Sequence, residues 1–146
     1  MKEYVYKLKR KYRRNPELLA RFGFLPYEDE EGKDRVMAKP LTLPFECGIV
    51  KNTKRLFEFF RKDAEEGDFD DYEFNEDGTV VVTDEMKKEW TECQLCVYVD
   101  GLGKGQLFIN APDSNQYFNT AVLDECAKEQ VEELLKADIV HKTLVR

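Results

Sequence analysis

Residues 94–110 read QLCVYVDGLGKGQLFIN, two apolar runs joined by a glycine-rich turn. Strand side chains alternate between faces, so Leu95, Val97 and Val99 share one face and Cys96 and Tyr98 the other. Both faces are largely apolar, which suits a covered central strand. Gln106 to Asn110 repeats the alternation, with Leu107 and Ile109 placed to pair with the valines across a ladder. The turn from Asp100 to Gly105 holds Gly101, Gly103 and Gly105, residues that take positive φ without a Cβ penalty. A glycine run with a lysine can also cradle a phosphate, but that chemistry needs a helix after the loop, with free N–H groups aimed at the anion. A strand follows here, so the stretch reads as a hairpin.

Outward from the hairpin, Glu3 to Lys9 alternates Tyr4, Tyr6 and Leu8 against Val5, Lys7 and Lys9, the pattern of a half-buried strand joining the sheet. Asn15-Pro16-Glu17 reads as a helix start, with Asn15 capping, Pro16 in the first turn and Glu17 at the positive end of the dipole; Gly23 ends it. Pro26, Pro40 and Pro44, with the acidic stretch from Glu28 to Asp34, predict a surface loop over 24–44 containing one edge strand at 35–39. Phe45 to Val50 reads as a further strand. Asn52 and Thr53 are alternative caps for a helix over 54–65, with Leu56, Phe57, Phe60 and Ala64 at helical spacing. Asn75-Glu76-Asp77-Gly78 predicts a turn into a strand at Thr79–Thr83, a second hairpin, and Asp84 to Trp90 about one helical turn. Asn119 or Thr120 caps a last helix over 120–136, and Asp138 to Val145 closes the chain as a strand containing His141. The expected fold is a single α+β domain over 1–146. It is a mostly antiparallel sheet of about 5–6 strands, with main helices near 54–65 and 120–136 and a short helix at 16–22.

A chain of 146 residues can bury a sizeable core without staples. No run of 18 apolar residues and no apolar leader is present, which predicts neither a membrane span nor a secretory signal, and a cytoplasmic location. Cys47, Cys93, Cys96 and Cys126 are too few for a disulfide scaffold. Cys93 and Cys96 have the spacing of half a zinc site, but a metal knuckle needs a turn where this pair enters a strand that sends the two thiols to opposite faces. They read as buried free thiols, and whether all four converge is left open by the sequence. His141, the one histidine, has no nucleophile or carboxylate fixed beside it by the sequence. No metal, cofactor or catalytic group is expected.

Charge is the most informative bulk property. The net charge is −7, yet the first fourteen residues hold seven Lys/Arg against Glu3 alone, which leaves net −13 on the rest. Such a body is repelled by nucleic acid and attracted to basic surfaces. From Asp63 to Asp77 there are nine carboxylates (Asp63, Glu65, Glu66, Asp68, Asp70, Asp71, Glu73, Glu76, Asp77) and no Lys or Arg, with Phe69, Tyr72 and Phe74 between them. Carboxylates at this density can stand in for phosphates at a basic site, and the aromatics Phe69 and Tyr72 can anchor the contact. The same region carries a near miss to a calcium loop at Glu73, Asn75, Asp77, Gly78 and Asp84, with Glu first and the shorter Asp last, the reverse of what that loop needs. The basic start from Lys7 to Arg14, with Tyr4, Tyr6 and Tyr12 interleaved, is the alternative contact surface, for nucleic acid.

Tyr6-Lys7-Leu8-Lys9 with the stretch from Asn15 to Phe24, and the closing stretch from Glu132 to Lys142, resemble the ends of small uncharacterised accessory proteins carried by phages and prophages of Gram-positive bacteria. That resemblance implies an accessory protein in the host cytoplasm and carries over no functional residue. Together with the charge pattern it yields the expected function: a non-enzymatic interaction protein, of the kind that inhibits host defence (anti-CRISPR type), whose acidic face occupies a nucleic-acid-binding site on a basic host protein. Nucleic acid itself is the less favoured partner, and a calcium- or zinc-binding domain is a further alternative.

Overall fold

A computed structural model describes residues 3–28, 35–59, 73–101, 103–111 and 116–145, and for 28, 56–59 and 116 the backbone path. Its centre is the hairpin read above. Strand β4 (Glu92–Tyr98) is followed by β5 (Leu107–Asn110), with Val97 opposite Leu107, Cys96 opposite Phe108 and Leu95 opposite Ile109. Gly101, Gly103 and Gly105 all adopt positive φ in the turn between them, at 83°, 86° and 82°. Around this pair β2 (Leu25–Glu28), β3 (Arg35–Thr42) and β6 (Gln116–Tyr117) complete an antiparallel sheet of order β2-β3-β4-β5-β6.

The sheet has two faces of unequal depth. Leu95, Val97, Leu107 and Ile109 enter the main core with Phe24, Leu19, Val50, Leu123, Leu134 and Ile139. Cys96, Phe108, Val36 and Ala38 form a second cluster on the opposite face, where the Phe108 ring lies 4.7 Å from Tyr98 and 5.0 Å from Phe118 between centroids. The alternation in β4 therefore sorts its residues as the period of two demands.

Strand β1 (Tyr4–Leu8) forms as expected, but it pairs with β7 (Val140–Leu144) in a separate two-stranded ribbon; Lys7 sits opposite His141 and Val5 opposite Thr143. Single bridges from Val5 to Asn119 and from Lys7 to Gln106 tie the ribbon to the larger sheet. Helix α1 (Arg10–Arg14) follows β1, a turn the sequence reading missed. It changes the role of Asn15, which does not cap the next helix: its Nδ2 donates to Lys11 O at 3.2 Å, finishing α1. Pro16–Phe22 is a 3-10 helix, ended by Gly23 at φ 91° as expected.

Within the expected loop over 24–44 the described residues form two strands, and the acidic stretch at 29–34 lies outside the described residues. β3 lies between β2 and β4 rather than at an edge, and Pro40 is accommodated because β2 pairs no further than Ala38, which leaves that side of Pro40 without a ladder. The strand expected at Phe45–Val50 is the start of α2 (Gly48–Phe59), so the helix begins at 48 rather than 54, and Asn52 and Thr53 lie inside it. Thr53 Oγ1 donates back to Ile49 O at 3.2 Å instead of capping. The apolar stripe expected at Leu56, Phe57, Phe60 and Ala64, and the end near 65, lie outside the described side chains.

Glu73 to Val81 makes the expected turn but only one bridge, Phe74 to Val80, so Thr79–Thr83 is not a strand. Helix α3 (Asp84–Thr91) then runs directly into β4, with Thr83 Oγ1 accepting from Met86 N. The last helix is two: α4 (Thr120–Cys126), capped by Asn119 Oδ1 on Val122 N at 2.9 Å as expected, and α5 (Lys128–Lys136), with Ala127 at φ −138°, ψ 33° between them. The break lets Glu125 and Cys126 reach the start of α2 while Val131 and Leu134 stay in the core. The class is α+β, and among the described residues no helix is long and apolar enough to cross a membrane.

Candidate functional site

The acidic run enters the described structure only at its end. Asp63, Glu65, Glu66, Asp68, Phe69, Asp70, Asp71 and Tyr72 lie outside the described residues. Glu73, Glu76 and Asp77 are described, and all three are exposed. They sit on a turn built by its own polar groups: Asp77 Oδ1 accepts from Thr79 N at 3.0 Å and Oγ1 at 2.7 Å, and Asn75 Nδ2 donates to Thr79 Oγ1 at 2.9 Å. Backbone bonds Asn75 N to Thr79 O and Val81 N to Glu73 O, both 2.8 Å, close it. Val80, 3 % exposed, plants the turn in the body. Two of the side chains that a calcium loop would aim at a cation, Asn75 and Asp77, are thus engaged in making a turn, and Asp84 belongs to the first turn of α3. Among the described residues no group of three or more His, Cys, Asp or Glu could hold a metal ion.

The cysteines do not converge as a set. Cys96 lies in the second cluster, on the opposite face of the sheet from Cys93, Cys47 and Cys126. Burial pushes the thiols of Cys93 and Cys96 up to about 12. Cys47 and Cys126 share a hydrogen bond, which lowers Cys47 to about 6 and raises Cys126. The Cys47 sulfur also faces the N–H groups of Val50 and Ile49, the place of a cap on the second and third residues of α2. The first residue is served from another helix, as Gly48 N donates to Glu125 Oε1 at 2.8 Å. A Cβ at 48 would stand 3.0 Å from Glu125 Oε2, so a side chain there would crowd the carboxylate.

At the other end of the molecule the basic start is divided between β1 and α1. Lys7, Lys9 and Arg13 approach His141, and burial first, then Lys9, Arg13 and Lys7, hold its imidazole below the ordinary range, because a second positive charge there is unwelcome. Lys11 and Lys142 lie instead over the rings of Tyr12 and Tyr4, at 5.7 and 5.0 Å. Tyr6 turns inward and donates to Asp124 Oδ1 at 2.7 Å, and burial followed by that bond pushes its phenol up to about 12. Tyr6, Asp124, Lys128, Glu132 and Leu135 line a shallow depression there. A larger open groove of about 450 Å³ runs between the 3-10 helix and the β2–β3 pair, lined by Pro16, Ala20, Pro26, Tyr27, Met37 and Val99. Arg35, at its border, pairs through Nε with Asp100 Oδ2 and holds that carboxyl below the usual range.

Sequence reasoning found the charge of each surface but not what meets what. The Glu125–Gly48 and Tyr6–Asp124 contacts join residues 77 and 118 positions apart, and no local pattern signals them. The approach of Lys7 to His141 depends on the register of two distant strands. No protein-family model matches the chain, and no curated protein or solved structure is significantly similar to it.

Proposed function

We propose that the protein is a non-enzymatic interaction protein, a phage-type accessory factor that presents the acidic face of Asp63 to Asp77 to a basic site on a host protein, one that otherwise holds nucleic acid. The observation that carries this reading is the placement of Glu73, Glu76 and Asp77, exposed on a turn whose backbone is closed by hydrogen bonds and whose Val80 is anchored in the body. Carboxylates held on an ordered support meet a cationic site without first losing conformational freedom, which is the advantage of preorganisation. A nucleic-acid channel is lined by Lys and Arg, and its occupancy is governed largely by charge, so nine carboxylates with no intervening cation match it in sign and density.

Affinity capture from a host lysate at rising salt tests this. A partner that stays bound at about 0.15 M salt, where the screening length is about 8 Å, is displaced by heparin and is lost from a Glu73→Lys/Glu76→Lys/Asp77→Lys variant supports the reading. Recovery of no partner at any salt, or a partner indifferent to the charge reversal, overturns it.

A further inference from the structure

Pairing of β1 with β7 puts Lys7 beside His141 and Val5 beside Thr143 on one face of the ribbon. Lys9 continues that face, two residues beyond Lys7, and its Nζ lies 3.1 Å from Asp138 Oδ1. Arg13 arrives from α1 across Gly105. A Cβ at Gly105 would stand 2.8 Å from Arg13 Cδ and 3.0 Å from Cγ, so the absence of a side chain there gives the arginine its path. The turn is held against β1 by the bond from Leu8 N to Gly105 O at 2.7 Å.

Three cations from a strand, its exit and a helix therefore gather around one imidazole. Among the described residues neither Lys7 nor Arg13 has a carboxylate within 4.0 Å, and Asp138 is engaged with Lys9. Glu3, two residues before Val5, is the next acid along this face, while Lys142 on the same strand as His141 points away, over Tyr4. On the same face, His141 Nδ1 and Thr143 Oγ1 are buried without a hydrogen-bond partner. Buried polar atoms are ordinarily satisfied, and like charges gathered this closely are ordinarily compensated. Both irregularities occur on one face, and an oxyanion would relieve the second directly by bringing negative charge to the cations.

We propose that Lys7, Lys9, Arg13 and His141 form a binding site for a compact oxyanion of the phosphate class, either free phosphate or the terminal phosphate of a mononucleotide. A compact anion fits better than a long polyanion. The remaining 132 residues carry net −13, which opposes an extended phosphate chain, whereas a single group within about 8 Å of the cluster feels mainly the local cations. The proposal does not rest on the acidic face.

The chain has one histidine, so its imidazole signals report this site alone. His141 is titrated by NMR in sodium sulfate, whose charge is constant over the range, in sodium phosphate and in AMP, each against sodium chloride at equal ionic strength. The expected result is a saturable upward movement of the His141 midpoint in sulfate and phosphate beyond that in chloride, because a bound anion stabilises the imidazolium. Binding should accordingly tighten as pH falls through that midpoint. Arg13→Gln and Lys7→Gln should each weaken the sulfate response roughly two- to fivefold, as expected for one exposed charge contact, with the circular dichroism unchanged. AMP binding more tightly than phosphate assigns the site to a nucleotide, and equal binding assigns it to the free anion. A His141 titration identical in sulfate, phosphate, AMP and chloride overturns the proposal, as does a sulfate response undiminished in both variants.

Discussion

The carboxylate of Glu125 accepts a 2.8 Å hydrogen bond from the backbone N–H of Gly48, so the last turn of α4 caps the first turn of α2. The first four N–H groups of a helix have no partner within it, and a negative group near them is favoured by the helix dipole. Glu125→Ala should therefore destabilise the protein by about 0.5–1 kcal/mol, the lower part of the range for lost caps, since the contact is exposed. At this chain length that is a fall in Tm of roughly 1–4 °C, read by scanning calorimetry.

All four thiols are buried, with Cys47, Cys93, Cys96 and Cys126 at 2 %, 8 %, 1 % and 3 % exposure. Even Cys47, whose thiol is lowered to about 6, is shielded by the body from a bulky reagent. Reaction with an aromatic disulfide should show no fast phase in the native protein and all four thiols in denaturant. A stoichiometric burst under native conditions would refute this.

Alkaline stability follows from Cys93 and Cys96. Burial raises both from 9.0 to about 12 in the folded protein. Between those values the unfolded chain has released protons that the folded chain retains, so stability is fully present below pH 9 and declines as pH rises toward 12. The urea midpoint, measured under reducing conditions, should be lower at pH 10 than at pH 8. Cys96→Val, which removes one titrating thiol, should make the decline shallower.

Helix α5 ends in a Schellman arrangement, with Ile139 N on Leu134 O at 3.0 Å and Asp138 N on Leu135 O at 3.1 Å, and with Asp138 at φ 60° where glycine is usual. Asp138→Gly and Asp138→Ala both lose the pair with Lys9, so their difference isolates the backbone. The glycine variant should be the more stable by about 1 kcal/mol in denaturant titrations.

Position in the sheet sets a contrast between two leucines. Leu95 is 0 % exposed in central β4 and Leu25 is 64 % exposed on edge strand β2. Leu95→Ala should cost about 2–5 kcal/mol and Leu25→Ala less than about 0.5 kcal/mol, measured by urea denaturation.

The features legible in the sequence were those decided within a few residues: the β4–β5 hairpin with its positive-φ glycines, the alternation of β1, the stop at Gly23 and the cap at Asn119. The start of α2 was not legible, because its caps are a cysteine, an unusual choice, and a glutamate from another helix. The role of β3 was obscured by Pro40, which argues against a central strand unless one knows that β2 ends two positions earlier. The break at Ala127 follows a stretch with unbroken helical spacing; only the contacts of Glu125 and Cys126 give a reason for it. Of the acidic run, charge alone was readable. The cation cluster at His141 needed the partner of Lys7, which sequence spacing does not supply.

The ribbon of β1 and β7 joins Tyr4 to Leu144, and that pairing has a consequence during synthesis. Strand β1 leaves the ribosome well before its partner, which follows roughly 7–26 s later at ordinary elongation rates. For that interval Tyr4, Val5, Tyr6 and Leu8 belong to an unfinished edge open to any passing strand. Lys7 and Lys9, set among them, are the kind of charge that keeps such an edge from pairing with the wrong chain until its own arrives.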